Sequence, residues 1–451
     1  MSGHFPFVLS LSKHSEPFFS NLLAITSALS GRRIAIAALL LLALFVRLQT
    51  LDQRPLWYDE LYTQRIAKYS AISEVWRAAE RDGAQHPPLY YLLARGALSF
   101  GDGAGWLRLP SLISGVLAVW GMVLLGGALI GWWGGIVAGM LLAFSVYAIE
   151  YSQEARSYML LVCEGIYLHY FLLRYCRTGF FRHLLLGALM FLAALYTHHL
   201  ALFFLPSMGW LICRAVVCRD LEVITSQRGR YLRSRRRIVE IAATFLAVLA
   251  LYYPQLSNTQ LFLSGQYLVP QQTLVISPQT LSEVSGRWGN SSSWSWLYLS
   301  LLFLGIVPII RQGGGFLVLW LVSPFLCYYL VPFSKFFDIR FLMPALAPFY
   351  ILVASGTIAL ARVADKVALR VRGRTSITSL VPPLVLVMLL VGLSLSTYRE
   401  FIRLKVRCSN FAFDPKIISI MDGFCAKHLI LNSLNPTDRY LLKTQDSKRG
   451  Q

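Results

Sequence analysis

Long apolar stretches recur along most of this chain, separated by short charged connections, and they constrain its fold more than any other feature. An α-helix needs about 20 apolar residues to cross the ~30 Å hydrocarbon core of a bilayer. About eleven such stretches can be marked, near 34–51, 107–130, 134–150, 157–175, 183–198, 200–218, 238–253, 294–310, 315–332, 341–361 and 379–398. Composition agrees: 56% of residues are hydrophobic and 14% are charged, against about 25% charged in a soluble domain. The expected fold is therefore an all-α integral membrane protein, a polytopic bundle of about eleven transmembrane helices. It divides into a cytoplasmic N-terminal segment (1–33), the transmembrane domain (34–398) and a short outer tail (399–451). No tandem repeat is visible.

A formal net charge of +20 raises the question of nucleic acid. The basic residues fall between apolar stretches, however, and no nucleic-acid motif accompanies them. Topology explains them better, because Lys and Arg collect on the cytoplasmic side of membrane proteins. With the N-terminus inside, beside Arg32 and Arg33, the inner connections hold Arg174, Arg177, Arg182, the run Arg228 to Arg237, and Arg311. A last inner loop holds Arg362, Lys366, Arg370, Arg372 and Arg374. The Arg-rich run reads as an orientation signal with contacts to anionic membrane lipids. Ile34 to Leu51 is long for a cleavable signal and lacks a small-residue cleavage site, so it reads as a retained anchor.

The seven cysteines show no metal-ligand spacing. Cys163, Cys176, Cys213, Cys218 and Cys327 lie in or beside apolar stretches and read as small apolar residues. Cys408 and Cys425 lie in the tail and could be bridged if it faces an oxidising compartment.

This orientation gives the outer side a long first loop, 52–106, a short turn at Ser152 to Ser157, the segment 254–293, and the turn Pro332 to Arg340. Leu61 to Glu80 has helical spacing. His86-Pro87-Pro88 then opens a run, Leu89 to Phe100, too short to span, with proline suited to a helix's first turn. Were 89–100 a short span instead, every later loop would change sides.

Chemistry-bearing residues gather at these outer edges. Asp59 and Glu60 follow Tyr58 just past the first apolar stretch. Their plain reading is a solvated helix start, where acids favour the dipole. Their functional reading is a general base, its pKa raised by desolvation beside the bilayer. Gln153-Glu154-Ala155-Arg156 offers an interfacial ion pair, or a second cavity acid with a cation for a phosphate oxygen. Glu150 would share a face with Glu154 if the helix ran on. His86 is either an ordinary loop histidine or a phosphate donor. Arg340 is either an interfacial anchor, with Asp338 as partner, or part of the same site. His198-His199 ends a stretch on the outer side, and adjacent helical residues chelate one ion poorly. Glu164 and His169 are expected to face the bundle interior. Acids and bases beside apolar walls suit a substrate with an anionic head and a lipid tail.

In these residues the chain resembles the GT-C superfamily of integral membrane glycosyltransferases, in the branch of protein O-mannosyltransferases, lipid A aminoarabinose transferases and their bacterial relatives. The resemblance runs through Trp57-Tyr58-Asp59-Glu60, His86-Pro87-Pro88-Leu89-Tyr90-Tyr91, Arg108-Leu109-Pro110-Ser111 and Tyr151-Ser152-Gln153-Glu154-Ala155-Arg156-Ser157-Tyr158. Arg340-Phe341-Leu342 with Pro344 is a weaker late match. It implies a bacterial inner (plasma) membrane, with a sugar donor on a polyprenyl phosphate used at the outer face and inversion at the anomeric carbon. A hexosyl or pentosyl group would pass to an acceptor hydroxyl or amine on a lipid-linked, glycan or protein acceptor. On that pattern Asp59 is the base, Glu60 orients the acceptor or the first-loop helix, and Glu154 is a second cavity acid. His86, Arg156 and Arg340 hold the lipid phosphate, and Tyr58, Tyr90, Gln153 and Tyr158 line the substrate cavity. No cofactor is implied, and no ligand set for a divalent metal is evident. Two departures stand out: His86 replaces the lysine common before Pro-Pro in aminoarabinose transferases, and the tail is shorter than the C-terminal domain of many relatives. The alternatives are a flippase of lipid-linked sugars, which would place charges near mid-membrane in related halves, and a non-enzymatic membrane scaffold.

Overall fold

Bilayer-crossing segments must satisfy their backbone hydrogen bonds internally, and every regular element among the described residues of the computed structural model is helical. The structure describes residues 16–53, 56–81, 86–217, 227–264, 278–290, 294–330 and 339–372, and no strand occurs among them. The expected stretch 379–398, the tail with Cys408 and Cys425, and Asp338 lie outside the described residues.

The chain opens with α1 (Glu16–Leu48), which contains the first apolar stretch. Three short helices follow: α2 (Tyr58–Ala67), α3 (Ile72–Arg81) and α4 (Leu89–Leu98). Next come α5 (Ala104–Ala143), α6 (Val146–Ser152), α7 (Tyr158–Thr178) and α8 (Phe181–Thr197). A 3₁₀ turn, His199–Phe204, leads into α9 (Leu205–Val217). The remainder is α10 (Gln227–Tyr252), α11 (Leu256–Ser264), α12 (Pro278–Trp288), α13 (Ser295–Arg311), α14 (Phe316–Leu330) and α15 (Leu346–Arg372). Five helical stretches among the described residues are long and apolar enough to cross a membrane, and three shorter apolar helices accompany them. The protein is an integral membrane protein.

The stretch expected at 107–130 falls in α5, which is broken at Gly131 (φ 83°), and the one expected at 134–150 begins in α5 and ends in α6. In a straight helix, nine residues would separate Gly126 from Gly135 by about 13.5 Å. Here a Cβ on Gly126 would lie 3.1 Å from the Gly135 Cα. The chain therefore reverses at Gly131, and small residues let the two limbs touch backbone to backbone. Lipid supplies no hydrophobic drive between helices, so such close packing is what holds a bundle together. α13 and α15 follow the same rule: a Cβ on Gly305 would collide with the Leu352 carbonyl, and one on Gly356 with that of Leu301.

The helical spacing from Leu61 to Glu80 becomes two helices. Glu74 Oε2 accepts from Ser70 Oγ (2.9 Å) and the Ala71 N–H (3.0 Å), starting a new helix. α4 has 10 residues, about 15 Å, half of what a crossing needs. Glu150 and Glu154 do not share a helical face, because α6 ends at Ser152. The buried core runs through α5, α7, α9, α13 and α15. His169 is buried in it, stacked 3.8 Å over Trp320 and bonded to the Gly165 carbonyl and Ser207 Oγ. Glu164 is also buried and accepts from Thr197 Oγ1 at 2.8 Å.

Candidate active site

The site is assembled where α2 meets the turn between α6 and α7. Trp57 precedes α2 in extended conformation, placing Asp59 and Glu60 in the first turn, near the positive end of the helix dipole. The two acids then part. Glu60 is fully buried and accepts two parallel bonds from Arg108, at 2.7 Å from Nε and 2.8 Å from Nη2. It also accepts from the Ala155 N–H (2.8 Å) and, more weakly, from the Trp57 N–H (3.4 Å). Its carboxylate thus ties α2 to α5 and to the turn that carries Glu154 and Arg156.

Asp59, one helical step earlier, keeps its side chain 19% exposed. Arg340 Nη1 lies 2.9 Å from its Oδ2, and Arg156 Nε lies 3.8 Å from the same oxygen. Thr63 Oγ1 donates to the Asp59 carbonyl. Arg156 Nη2 stands 3.2 Å from His86 Nε2. The His86 ring packs 4.8 Å from that of His198, which lies 5.4 Å from Tyr158. The Arg340 guanidinium sits 5.9 Å over the Tyr158 ring and 5.8 Å over Trp57. Asp59, Arg156, His86, His198, Tyr158 and Arg340 therefore form a closed ring of contacts.

Protonation follows from the partners. A guanidinium only donates, so His86 Nε2 accepts from Arg156, the ring is neutral, and its proton sits on Nδ1. His198 Nδ1 accepts the Leu200 N–H, leaving its proton on Nε2. Burial lowers the His86 pKa well below its ordinary value, helped by His198 and Arg156. His198 is lowered in the same way, by burial and then by His199 and Arg156. Burial opposes the Arg156 charge as well, but Asp59, Tyr91 and Tyr158 together outweigh it, so the guanidinium stays protonated.

The other expected residues are spread differently. Glu154 is buried in the turn beside Arg156. Gln153 is fully buried, and its amide is spent on the carbonyls of Arg47 (2.9 Å) and Gln49 (2.6 Å). Tyr90 is buried with its hydroxyl 2.7 Å from Ser111 Oγ, which bonds the Arg156 carbonyl at 3.0 Å. Tyr90 lines a narrow crevice that also includes His86, Thr197 and Arg156. The Tyr58 side chain lies outside the described residues. The plain partner expected for Arg340, Asp338, also lies outside them, and Arg340 pairs with Asp59 instead.

Sequence reasoning gave no role to Arg108, Arg47 or His198. Arg108 offered one signal: an arginine at the start of an apolar stretch needs a counter-ion. Arg47 is fully buried and donates to Ser152 Oγ and to the carbonyls of Ala43, Leu142 and Ala143. Those last two are carbonyls at the C-terminal end of α5 that the helix itself leaves without a partner, where a cation is favoured. Basic residues Arg177, Arg214 and Arg237 lie at the far ends of α7 and α9 and on α10. The 21 residues of α7 separate them from the site, by roughly 32 Å. No group of three or more His, Cys, Asp or Glu residues able to hold a metal occurs among the described residues.

The helical bundle is similar in fold to solved membrane proteins of the GT-C architecture. Residues 85–253 match the family described as dolichyl-phosphate-mannose-protein mannosyltransferase. That segment holds His86, Arg108, Glu154, Arg156 and His198, while Asp59 and Arg340 lie outside it. ArnT from Cupriavidus metallidurans in the apo state is similar at 14% identity and a TM-score of 0.52, over 85% of this chain and 78% of that one. The archaeal oligosaccharyltransferase AglB from Archaeoglobus fulgidus, in complex with an inhibitory peptide and a dolichol-phosphate, is similar at 11% identity and a TM-score of 0.53. That match covers 85% of this chain but 56% of the archaeal one, so the chain spans little more than half its length. At these identities the likeness is one of fold. Among functionally curated proteins, none matches the sequence.

Proposed function

We propose that this protein is a membrane glycosyltransferase that moves a sugar from a polyprenyl-phosphate donor to an acceptor hydroxyl or amine at the outer face of the membrane, with inversion. One observation carries the reading: of two adjacent acids, Glu60 is buried in a bidentate ion pair, while Asp59 stays partly exposed between two arginines. A dolichol-phosphate in the archaeal structure of like fold, and the dolichyl-phosphate-mannose family match, support a lipid phosphate as the donor's head.

In this mechanism the donor phosphate takes up Arg156 and Arg340, which otherwise hold Asp59, and frees that carboxylate to act as a base. Asp59 receives the proton of the acceptor O–H or N–H as the acceptor atom attacks the anomeric carbon. The bond from that carbon to the phosphate oxygen breaks on the opposite side. Polyprenyl phosphate leaves with the electron pair, its charge held by the two guanidiniums and by a His86 donor. Stabilising developing charge with fixed cations in a dry site is the larger share of such catalysis. Glu60 acts as a positioning residue, Glu154 lines the acceptor side, and Tyr158 stacks under Arg340.

The test is purified protein with a radiolabelled polyprenyl-phosphate sugar and extracted acceptor lipids. Transfer by the native chain and not by Asp59→Asn is expected. Equal transfer by both removes Asp59 as the base, and movement of the lipid-linked sugar across vesicles without transfer replaces the enzyme with a flippase.

A further inference from the structure

The ring of contacts around Asp59 is rich in donors and poor in acceptors. His198 is 1% exposed, between the His86 and Tyr158 rings and within electrostatic range of Arg156 and Arg340. Its Nδ1 is occupied by the Leu200 N–H at 3.1 Å. The proton is thereby forced onto Nε2, which is buried and finds no acceptor among the described residues. His86 shows the same pattern: Nε2 faces Arg156, and the proton-bearing Nδ1 is buried without a partner among the described residues. A buried donor left unmade is costly, because it has lost water and gained no partner in exchange. Two of them on rings 4.8 Å apart mark a place shaped for oxygen atoms that arrive with a ligand.

We propose that His198 is a further binding residue of this site, its Nε2–H donating to a phosphate oxygen of the polyprenyl phosphate beside His86, Arg156 and Arg340. The inference rests on the lipid-phosphate reading of the site. Two guanidiniums supply charge, and two neutral imidazoles supply directed donors for the remaining oxygens. Fixed tautomers keep both donors in place without adding further positive charge between the arginines. The 3₁₀ turn at His199–Phe204 thus sets the chemistry as well as the geometry, since its first N–H bonds select the His198 tautomer.

A swap of two amides separates this role from plain capping. His198→Asn puts a carbonyl where Nδ1 stood, so it keeps the bond to Leu200 but loses the distal donor. His198→Gln puts an N–H where Nε2 stood and loses the cap. His198→Phe keeps ring packing against His86 and Tyr158 with neither nitrogen. Polyprenyl phosphate binding to the full chain in detergent, read by tryptophan fluorescence, is expected within about threefold of native for Gln. It is expected to weaken about tenfold or more for Asn and for Phe, the loss of one hydrogen bond to a charged group. Equal binding by Asn and Gln, or tighter binding by Asn, overturns the proposal. If the native chain transfers sugar and the three variants bind alike, only this inference falls. If the native chain neither binds polyprenyl phosphate nor transfers sugar, the lipid-phosphate reading falls and takes this one with it.

Discussion

Replacing Glu60 with Gln tests how the site is held. The Glu60 carboxylate accepts from Arg108 twice, from the Ala155 N–H and from the Trp57 N–H. Its own side chain is 0% exposed and that of Arg108 is 1% exposed. Solvent therefore cannot replace what the substitution removes. Gln keeps one acceptor oxygen and turns an amide NH₂ toward guanidinium N–H groups, and Arg108 stays charged and buried. Removing one partner of such a pair costs about 3–5 kcal/mol, mostly as the stranded charge. Arg108→Met alone strands the carboxylate and is expected to cost a similar amount. The double variant Glu60→Met with Arg108→Met removes both charges. It should cost well below the sum of the two single changes, with a coupling of about 3 kcal/mol. Chemical unfolding in a mild detergent, followed by tryptophan fluorescence, measures all three. Stability of Glu60→Gln within about 1 kcal/mol of native would refute the buried-pair reasoning. Native stability with transfer abolished would instead make Glu60 a reacting group.

Further outcomes follow from the same geometry. Asp59→Asn should lower the rate of sugar transfer by about 10²–10⁴, and should also lower the unfolding midpoint, because it strands the largely buried charges of Arg156 and Arg340. Arg340→Lys should weaken donor binding, since a point charge cannot both reach Asp59 and lie over Trp57 and Tyr158 as the planar guanidinium does; KM for the donor reads this. Gly356→Val should abolish the close approach of α13 to α15, seen as loss of monodisperse protein in detergent. The depressed His86 pKa has a signed consequence. Its neutral form contributes stability above the unfolded value of about 6.5, and that contribution is lost as pH falls from there toward the lower folded value. Native stability should therefore decline with acidification more steeply than that of His86→Gln, measured as the unfolding midpoint between pH 7 and pH 5.

Much of the architecture could be read from pattern. Alternation of apolar runs with basic connections placed most helices within a few residues, including the pair that Gly131 separates and the short helix opened by Pro87-Pro88. Glycine marked that reversal locally, because only it adopts φ 83° at no cost. The break between α2 and α3 was harder to see. Hydrophobic spacing runs through it, and the decision lies with Glu74 capping the Ala71 N–H. Among the site residues, Gln153 carries the clearest lesson. Sequence placed it with the substrate-facing group, yet its amide bonds the carbonyls of Arg47 and Gln49, which no local pattern announces. His198 is illegible for the opposite reason. Adjacent histidines in a sequence suggest metal ligation, and a tautomer fixed by the next turn's N–H is invisible until that turn is folded.

Sequence by itself determined that the chain is a helical membrane bundle, since apolar segments in lipid must satisfy their own backbone bonds and only helices or closed barrels do so. It also determined that acids, arginines and histidines stand at the ends of those segments, where charge is cheapest to keep. Only tertiary structure decided which of the two adjacent acids is buried and which stays partly exposed. Consecutive helical residues point about 100° apart, so each meets different company. For Glu60 that company is Arg108, 48 residues along the chain, and for Asp59 it is Arg340, 281 residues along. Contacts at such separations are set by how the helices pack, and packing is what turned one acid into a buried strut and left the other partly exposed.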